Sequence, residues 1–272
     1  MPRIAIIGGS GMYDILDEIA SVERVSTPRG VSTVYIGYLG NEEVAFLPRH
    51  DKDHSIPPHA INYRSNIYAL HTLGVERIFA TNAVGSLRDD IKPGTMRVVT
   101  NFIDLTKNRP TTFYDGQEIR LRDGRRIKGV VHVDMTYPVC PELTKILDDL
   151  LLERYDYARP PHVIYACMEG PRFETPAEIN MLRILGADVV GMTLCPEIVL
   201  ARELEMCYAS LAIVTNYAAG IQKRVSHGEV LEIFKRVRPQ VIEILKEAVK
   251  RVPIERKCPC KDALREYYRI FP

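Results

Sequence analysis

Residues Ile4 to Asp14 read IAIIGGSGMYD: a β-branched run that breaks into Gly8, Gly9, Ser10 and Gly11. A Gly-rich turn directly after a strand brings backbone N–H groups close to an anion. The stretch therefore points to a strand-first α/β fold and raises a question about the anion. A dinucleotide, a nucleoside triphosphate, the oxyanion of an ester and free phosphate each imply a different enzyme. A plain structural turn is the remaining reading.

Outward from this turn the chain alternates. Strand-like runs recur at Arg3–Gly8, Thr33–Tyr38, Val44–Leu47, Arg77–Thr81, Arg97–Phe102, Val163–Cys167, Asp188–Gly191 and Cys207–Thr215. Several are unbroken Val/Ile/Ala runs, as expected of strands covered on both faces. Helical patterns lie between them. Tyr63–Leu73 sets Ile67, Leu70 and Leu73 on one face, Glu142–Arg154 repeats leucines at helical spacing, and Pro196–Met206 follows a strand end. Thr175-Pro-Ala-Glu178 and Ser226-His-Gly-Glu229 read as capping boxes. The first opens a helix ending before Gly186, the second a long helix over Glu229–Arg251. This alternation predicts α/β architecture with a twisted, mixed but largely parallel sheet flanked by helices. In such sheets ligands collect at the carboxyl ends of strands. No repeat or linker divides the 272 residues, so one domain over 1–272 is expected, with a C-terminal tail from about 253.

Composition narrows the function classes. Apolar residues make up 46% and charged residues 26%, and a net charge of +1 comes with no basic stripe for nucleic acid. No run reaches the roughly 18 apolar residues of a membrane span, and the chain opens on a strand rather than a leader. A cytoplasmic protein is expected. Cys258-Pro259-Cys260 is C-x-C without a partner pair at ligand spacing, so no metal is expected. Cys140, Cys167, Cys195 and Cys207 read as small buried hydrophobes. A local disulfide or redox pair at Cys258–Cys260, or a Cys140–Cys207 pairing, stays open.

Three familiar mechanisms fail at the opening turn. From Gly9 the chain reads Gly9-Ser-Gly11-Met-Tyr-Asp14, so the last glycine of the dinucleotide fingerprint is an acid. No G-K-[ST] triplet for a P-loop occurs. A nucleophile elbow fails because Met12 stands at its last position. Other strand ends are more informative. One finishes in Arg49 and His50, another in Thr81, Asn82 and Ala83, and a third in Met192 and Thr193 just before a helix. A guanidinium, hydroxyls, backbone N–H groups and a helix dipole together suit a small anion.

In these motifs the chain resembles the trimeric purine nucleoside phosphorylase and methylthioadenosine phosphorylase family. IGGSG, PRH, NAVGSL, MEGPRFET, GADVVGMT-x-x-PE and TNYAAG occur in order and at family spacing over roughly residues 3 to 250. The resemblance implies reversible phosphorolysis of a purine nucleoside to free base and pentose 1-phosphate. It implies no metal and no organic cofactor, with inorganic phosphate as co-substrate. By position, Ser10, Arg49, His50, Ala83 and Thr193 match the phosphate-site motif, with Asn82 beside it. Met192 matches the residue against the ribose, and Phe173 the aromatic of the purine pocket. His132 matches a residue that family trimers contribute from the neighbouring subunit, which implies a homotrimer or a dimer of trimers with nucleoside and phosphate as its other partners.

The same resemblance bears on the base. Members preferring 6-aminopurines carry Ser after GPRF and an Asp-x-Asp pair after the late strand; here Glu174 follows Phe173, and Asn216-Tyr217-Ala218 follows Thr215. A 6-oxopurine presents N1–H and O6, so a carboxylate acceptor suits the first and an amide donor the second. Asn216 and Glu174 are therefore expected to act on the departing base together with His50 on phosphate, and inosine or guanosine to be preferred. Tyr217 and Ala218 complete that stretch. His227 falls where 6-oxopurine enzymes bind a 5′-hydroxyl. 5′-Methylthioadenosine or methylthioinosine phosphorolysis is the alternative, and a non-catalytic nucleoside-binding protein a remoter one; a nicotinamide-dependent oxidoreductase is disfavoured by the missing glycine.

Overall fold

A computed structural model of the chain describes residues 1–9, 11, 12, 14–158 and 160–267. Eleven strands are distinguished among them: β1 (Ile4–Gly8), β2 (Glu18–Thr27), β3 (Gly30–Leu39), β4 (Glu42–Pro48), β5 (Arg77–Ser86), β6 (Met96–Leu105), β7 (Ile119–Arg120), β8 (Arg126–Ile127), β9 (His162–Met168), β10 (Val189–Gly191) and β11 (Cys207–Tyr217). Nine of them form one sheet in the order β10-β9-β6-β11-β5-β1-β4-β3-β2, while β7 and β8 pair separately. The centre is parallel, with β1 beside β4 and β5, β5 beside β11, and β9 beside β6 and β10. The β2–β3, β3–β4, β6–β11 and β5–β10 pairs are antiparallel. Because β10 pairs with both β9 and β5, strands β5, β11, β6, β9 and β10 close on themselves. The mixed sheet expected from sequence is thus barrel-like at one end.

Helices cover both faces. α1 (Tyr63–Thr72) and α4 (Glu197–Glu203) pack into one apolar cluster, and α2 (Pro141–Arg154) and α5 (His227–Arg251) into the other. α5 buries Val230, Phe234, Val237, Val241, Ile244, Leu245 and Ala248, a stripe at helical spacing on the sheet. α3 (Pro176–Ile184) starts from the expected capping box: Glu178 N–H donates to Thr175 Oγ1 at 3.2 Å, and Thr175 N–H to Glu178 Oε2 at 2.7 Å. The Ser226 box is only half made. Ser226 Oγ accepts from Glu229 N–H, but the Glu229 carboxylate takes Gln222 Nε2 instead, and α5 begins two residues earlier than expected, at His227.

β2 was not expected. Its ten residues, EIASVERVST, carry charges and alternate only between exposed and half-buried, so no continuous apolar run marks it. It is an edge strand held by backbone pairing to β3. Beyond α5 the tail packs on the body: Leu264 is buried and Tyr267 donates to the His132 carbonyl. The expected tail past residue 267 lies outside the described residues. No helix among those described is long and apolar enough to cross a membrane.

Candidate active site

A cavity of about 370 Å³ opens at the carboxyl ends of β1, β4, β10 and β11 and along β5. Its size falls within the range of about 300–1,000 Å³ seen for small-molecule sites. Gly9 borders it, and a Cβ there would stand 3.1 Å from Arg49 Nη1, so glycine lets turn and guanidinium share the space. Gly11 sits at φ +79, the left-handed region, and its carbonyl accepts from Arg238 Nε at 2.9 Å. Arg238 also pairs with Asp14, so α5 braces the turn. Ser10, the expected phosphate ligand, lies outside the described residues.

Arg49 follows β4 directly and is fully buried. Its Nε and Nη2 donate to Glu197 Oε2 and Oε1 at 2.7 and 2.8 Å, and Nη1 donates to the Thr81 carbonyl at 2.9 Å. Tyr208 Oη donates to Glu197 Oε1 at 2.7 Å. Burial opposes the guanidinium's charge, but Glu197 more than offsets it and its pKa is raised. Of five guanidinium N–H groups, these bonds use three and leave two for a ligand. Glu197 belongs to the PE motif seen in the sequence, yet no role was read for it.

His50 Nδ1 lies 2.8 Å from the Ile56 carbonyl. A carbonyl only accepts, so Nδ1 carries the proton and Nε2 is left as an acceptor. Burial, with smaller contributions from Arg49 and His54, pushes the His50 pKa down to about 3, so the ring is neutral. His54 stands at φ +53 with its ring 4.4 Å from His50 and 6.3 Å from His227, and all three line the cavity. Its pKa is lowered too, by burial first and then by His227. Neither spacing nor pattern had marked His54.

The other side is built by β5, β10, β11 and the loop before α3. Between Val214 and Asn216 the register of β11 against β5 shifts by one residue. At this bulge the successive residues Thr215 and Asn216 both line the cavity. Asn216 Oδ1 accepts from Thr215 Oγ1 at 2.9 Å and its Nδ2 donates to the Tyr217 carbonyl at 2.9 Å, leaving one amide N–H and one lone pair. Gly85 opposes it, and a Cβ there would lie 3.1 Å from Nδ2. Glu174 and Phe173 also line the cavity. Burial, with Glu178 nearby, raises the Glu174 pKa above the ordinary carboxylate value. Ala83, Ala218, Met192 and Thr193 face the same space.

Arg109 holds the Met192 loop. Its Nη1 donates to the carbonyls of Met192 and Cys195, both at 2.7 Å, and its Nη2 to that of Glu169 at 2.6 Å. Nothing in the surrounding KNRP stretch distinguished this arginine from a solvated one.

Two expected site residues lie outside the cavity. Asn82 sits behind the cavity wall, donating from Nδ2 to Thr193 Oγ1 at 2.8 Å and accepting from Ser210 Oγ at 2.7 Å. It fixes the cavity-lining threonine instead of lining the cavity itself. Tyr217 turns away, its hydroxyl on the Asp89 carbonyl at 3.2 Å, because the side chain after the bulge falls on the opposite side of the strand. His132, expected at a neighbouring subunit's site, is exposed, with its backbone tied to Tyr267.

Residues 3–250 match the family model described as the phosphorylase superfamily. The chain is similar to a 6-oxopurine nucleoside phosphorylase of Pyrococcus furiosus, 53% identical over 97% of this chain and 98% of that one. It is also similar to an S-methyl-5′-thioadenosine phosphorylase of Pyrococcus horikoshii, 46% identical over 98% of this chain and 100% of that one. Among solved structures, a Schistosoma mansoni methylthioadenosine phosphorylase in complex with adenine superposes with a TM-score of 0.86 at 36% identity, covering 98% of this chain and 97% of that chain.

Proposed function

The chain belongs to the phosphorylase superfamily, and from that membership we propose that it catalyses reversible phosphorolysis of purine nucleosides, with inosine and guanosine preferred over adenosine. The observation that carries this reading is the meeting, in one cavity, of anion donors at Arg49 and Thr193 with purine-edge groups at Glu174 and Asn216.

In this reading phosphate binds the two remaining N–H groups of Arg49, the Thr193 hydroxyl, the Ala83 backbone and Ser10. His50 Nε2 accepts from the protonated oxygen of hydrogen phosphate. A phosphate oxygen attacks the anomeric carbon as the glycosidic bond breaks and an oxocarbenium-like sugar forms against Met192. The bond's electron pair flows into the purine, where Asn216 donates to the developing charge at N7 and O6 and Glu174 accepts from N1–H. The proton carried in on hydrogen phosphate balances the one the departing purine gains. Catalysis is positioning and charge stabilisation, and no protein nucleophile takes part. The imidazoles of His54 and His227 suit a 5′-hydroxyl better than a methylthio group. The reading assigns the reaction no metal or organic cofactor, and it places His132 at a neighbour's site in a homotrimer or dimer of trimers.

Phosphate-dependent release of base from inosine, guanosine, adenosine, 5′-methylthioadenosine and methylthioinosine tests it. Fastest turnover of inosine or guanosine is expected. Faster turnover of adenosine or methylthioadenosine would overturn the roles given to Glu174 and Asn216.

A further inference from the structure

Four of the six cysteines converge far from the cavity. The sulfurs of Cys140, Cys207, Cys258 and Cys260 all lie within 4.8 Å of one another, and every one of these residues is buried. They arrive from three stretches: the residue capping α2, the first residue of β11, and the turn beyond α5. Cys207 and Asn216 lie near opposite ends of β11, roughly 30 Å apart at about 3.3 Å per residue. The expectation that no metal binds rested on spacing in sequence, and the fold brings together what spacing kept apart.

We propose that this cluster is a structural metal site, holding one soft divalent cation of the zinc class on four thiolates. The donor set is all sulfur, with no carboxylate or imidazole in the group, which favours such cations over hard ones. A tetrahedral ion with bonds of about 2.3 Å holds its sulfurs roughly 3.8 Å apart. The 3.3 Å contact between Cys207 and Cys258 and the outer limit of 4.8 Å bracket that value. The Cys207–Cys258 contact crosses from β11 to the turn, so the four sulfurs form one group, as a shared centre requires.

The surroundings favour thiolates. Cys140 caps the 14-residue helix α2 with no side-chain cap bond of its own, so the positive end of the helix dipole faces its sulfur. Pro259 fixes the turn between Cys258 and Cys260. Lys257 N–H donates to Glu142 Oε1 at 2.7 Å, tying that turn to the first turn of α2. On binding, four S–H groups release four protons and the centre keeps two negative charges beside a stretch containing Arg256, Lys257 and Lys261. The cation would fasten a tail that buries few apolar side chains of its own, so binding energy becomes folding energy.

The test uses the full chain, purified under reductant, exposed to zinc alone and dialysed. One zinc per chain is expected, with six alkylatable thiols after unfolding in chelator, and a lower Tm when chelator strips the metal. Cobalt(II) in place of zinc should show sulfur-to-cobalt charge-transfer absorption. Cys258→Ser/Cys260→Ser should lose the metal and keep nucleoside phosphorolysis at moderate temperature. Should that variant fail to fold, the wild-type measurements decide alone. Two disulfides with only two alkylatable thiols, or six free thiols with less than stoichiometric zinc, would overturn the proposal. Neither result depends on the substrate panel.

Discussion

Arg49 and Glu197 meet face to face, both buried and with both guanidinium–carboxylate bonds under 3 Å, although they lie 148 residues apart in the chain. The pair joins the end of β4 to the start of α4 and aims the remaining N–H groups of Arg49 along one direction. Removing one partner leaves a buried charge uncompensated. Glu197→Ala should therefore destabilise the protein by about 3–5 kcal/mol and raise the KM for phosphate. Arg49→Lys loses the fork and should lower kcat/KM for phosphate more than for nucleoside at saturating phosphate. Denaturant unfolding and two-substrate kinetics check both. Unchanged phosphate kinetics in Arg49→Lys would remove the guanidinium from the anion site.

Asn82 works one layer back. Its amide links Ser210 on β11 to Thr193 beyond β10, so Asn82→Ala leaves two buried hydroxyls without this partner. A cost of about 1–3 kcal/mol in stability is expected, with a rise in phosphate KM and little change in nucleoside KM. Equal losses for both substrates would show that the residue supports the cavity as a whole.

The contrast between these two residues explains how much was legible. Backbone-dictated features read well: most of the β-branched runs and the Thr175 box are local, and the structure reproduces them within a few residues. The residues at successive strand ends were also legible, because parallel strands deliver their carboxyl ends to one place. What stayed hidden was relational. Glu197, His54 and Arg109 acquire roles only through partners distant in sequence, and the direction in which Asn82 and Tyr217 point depends on strand register and a one-residue bulge. The four cysteines are the same case at larger scale.

Stability should fall in mild acid. His71 is buried on α1, and the Arg122 N–H lies 3.4 Å from its Nε2. Burial, then Arg122, lowers its pKa to about 4. An unfolded histidine binds a proton below about 6.5, and the folded one does so only near 4, so the unfolded state gains protons first and stability drops as pH falls through that window. His50, held at about 3, acts in the same direction. The full shifts correspond to at most about 3 kcal/mol for His71 and about 5 kcal/mol for His50. His71→Gln should flatten the decline of unfolding free energy between pH 7 and 4.5. Superimposable curves for variant and wild type would mean that His71 binds its proton equally well in the folded and unfolded states.

Base choice is the most specific expectation. Asn216 has one amide N–H beyond the bond to the Tyr217 carbonyl, and the bulge directs it into the cavity. That donor suits O6 and N7 of an oxopurine. A 6-aminopurine puts an N–H donor where O6 stood, so the amide donor there becomes a liability while a carboxyl group can accept from N6 and, when protonated, donate to N7. Asn216→Ala should lower kcat/KM for inosine by about 2–4 kcal/mol of transition-state energy, the loss expected for one oxyanion-type donor. Asn216→Asp should lower inosine activity and raise the adenosine-to-inosine ratio of kcat/KM by about tenfold or more, since a 1.4 kcal/mol difference is already tenfold. Glu174 favours the change less, because its acceptor still addresses N1–H, which a 6-aminopurine lacks. Adding Glu174→Ser to Asn216→Asp should therefore move the ratio further than either substitution alone. A ratio that stays fixed in both variants would place base recognition on other residues of the cavity.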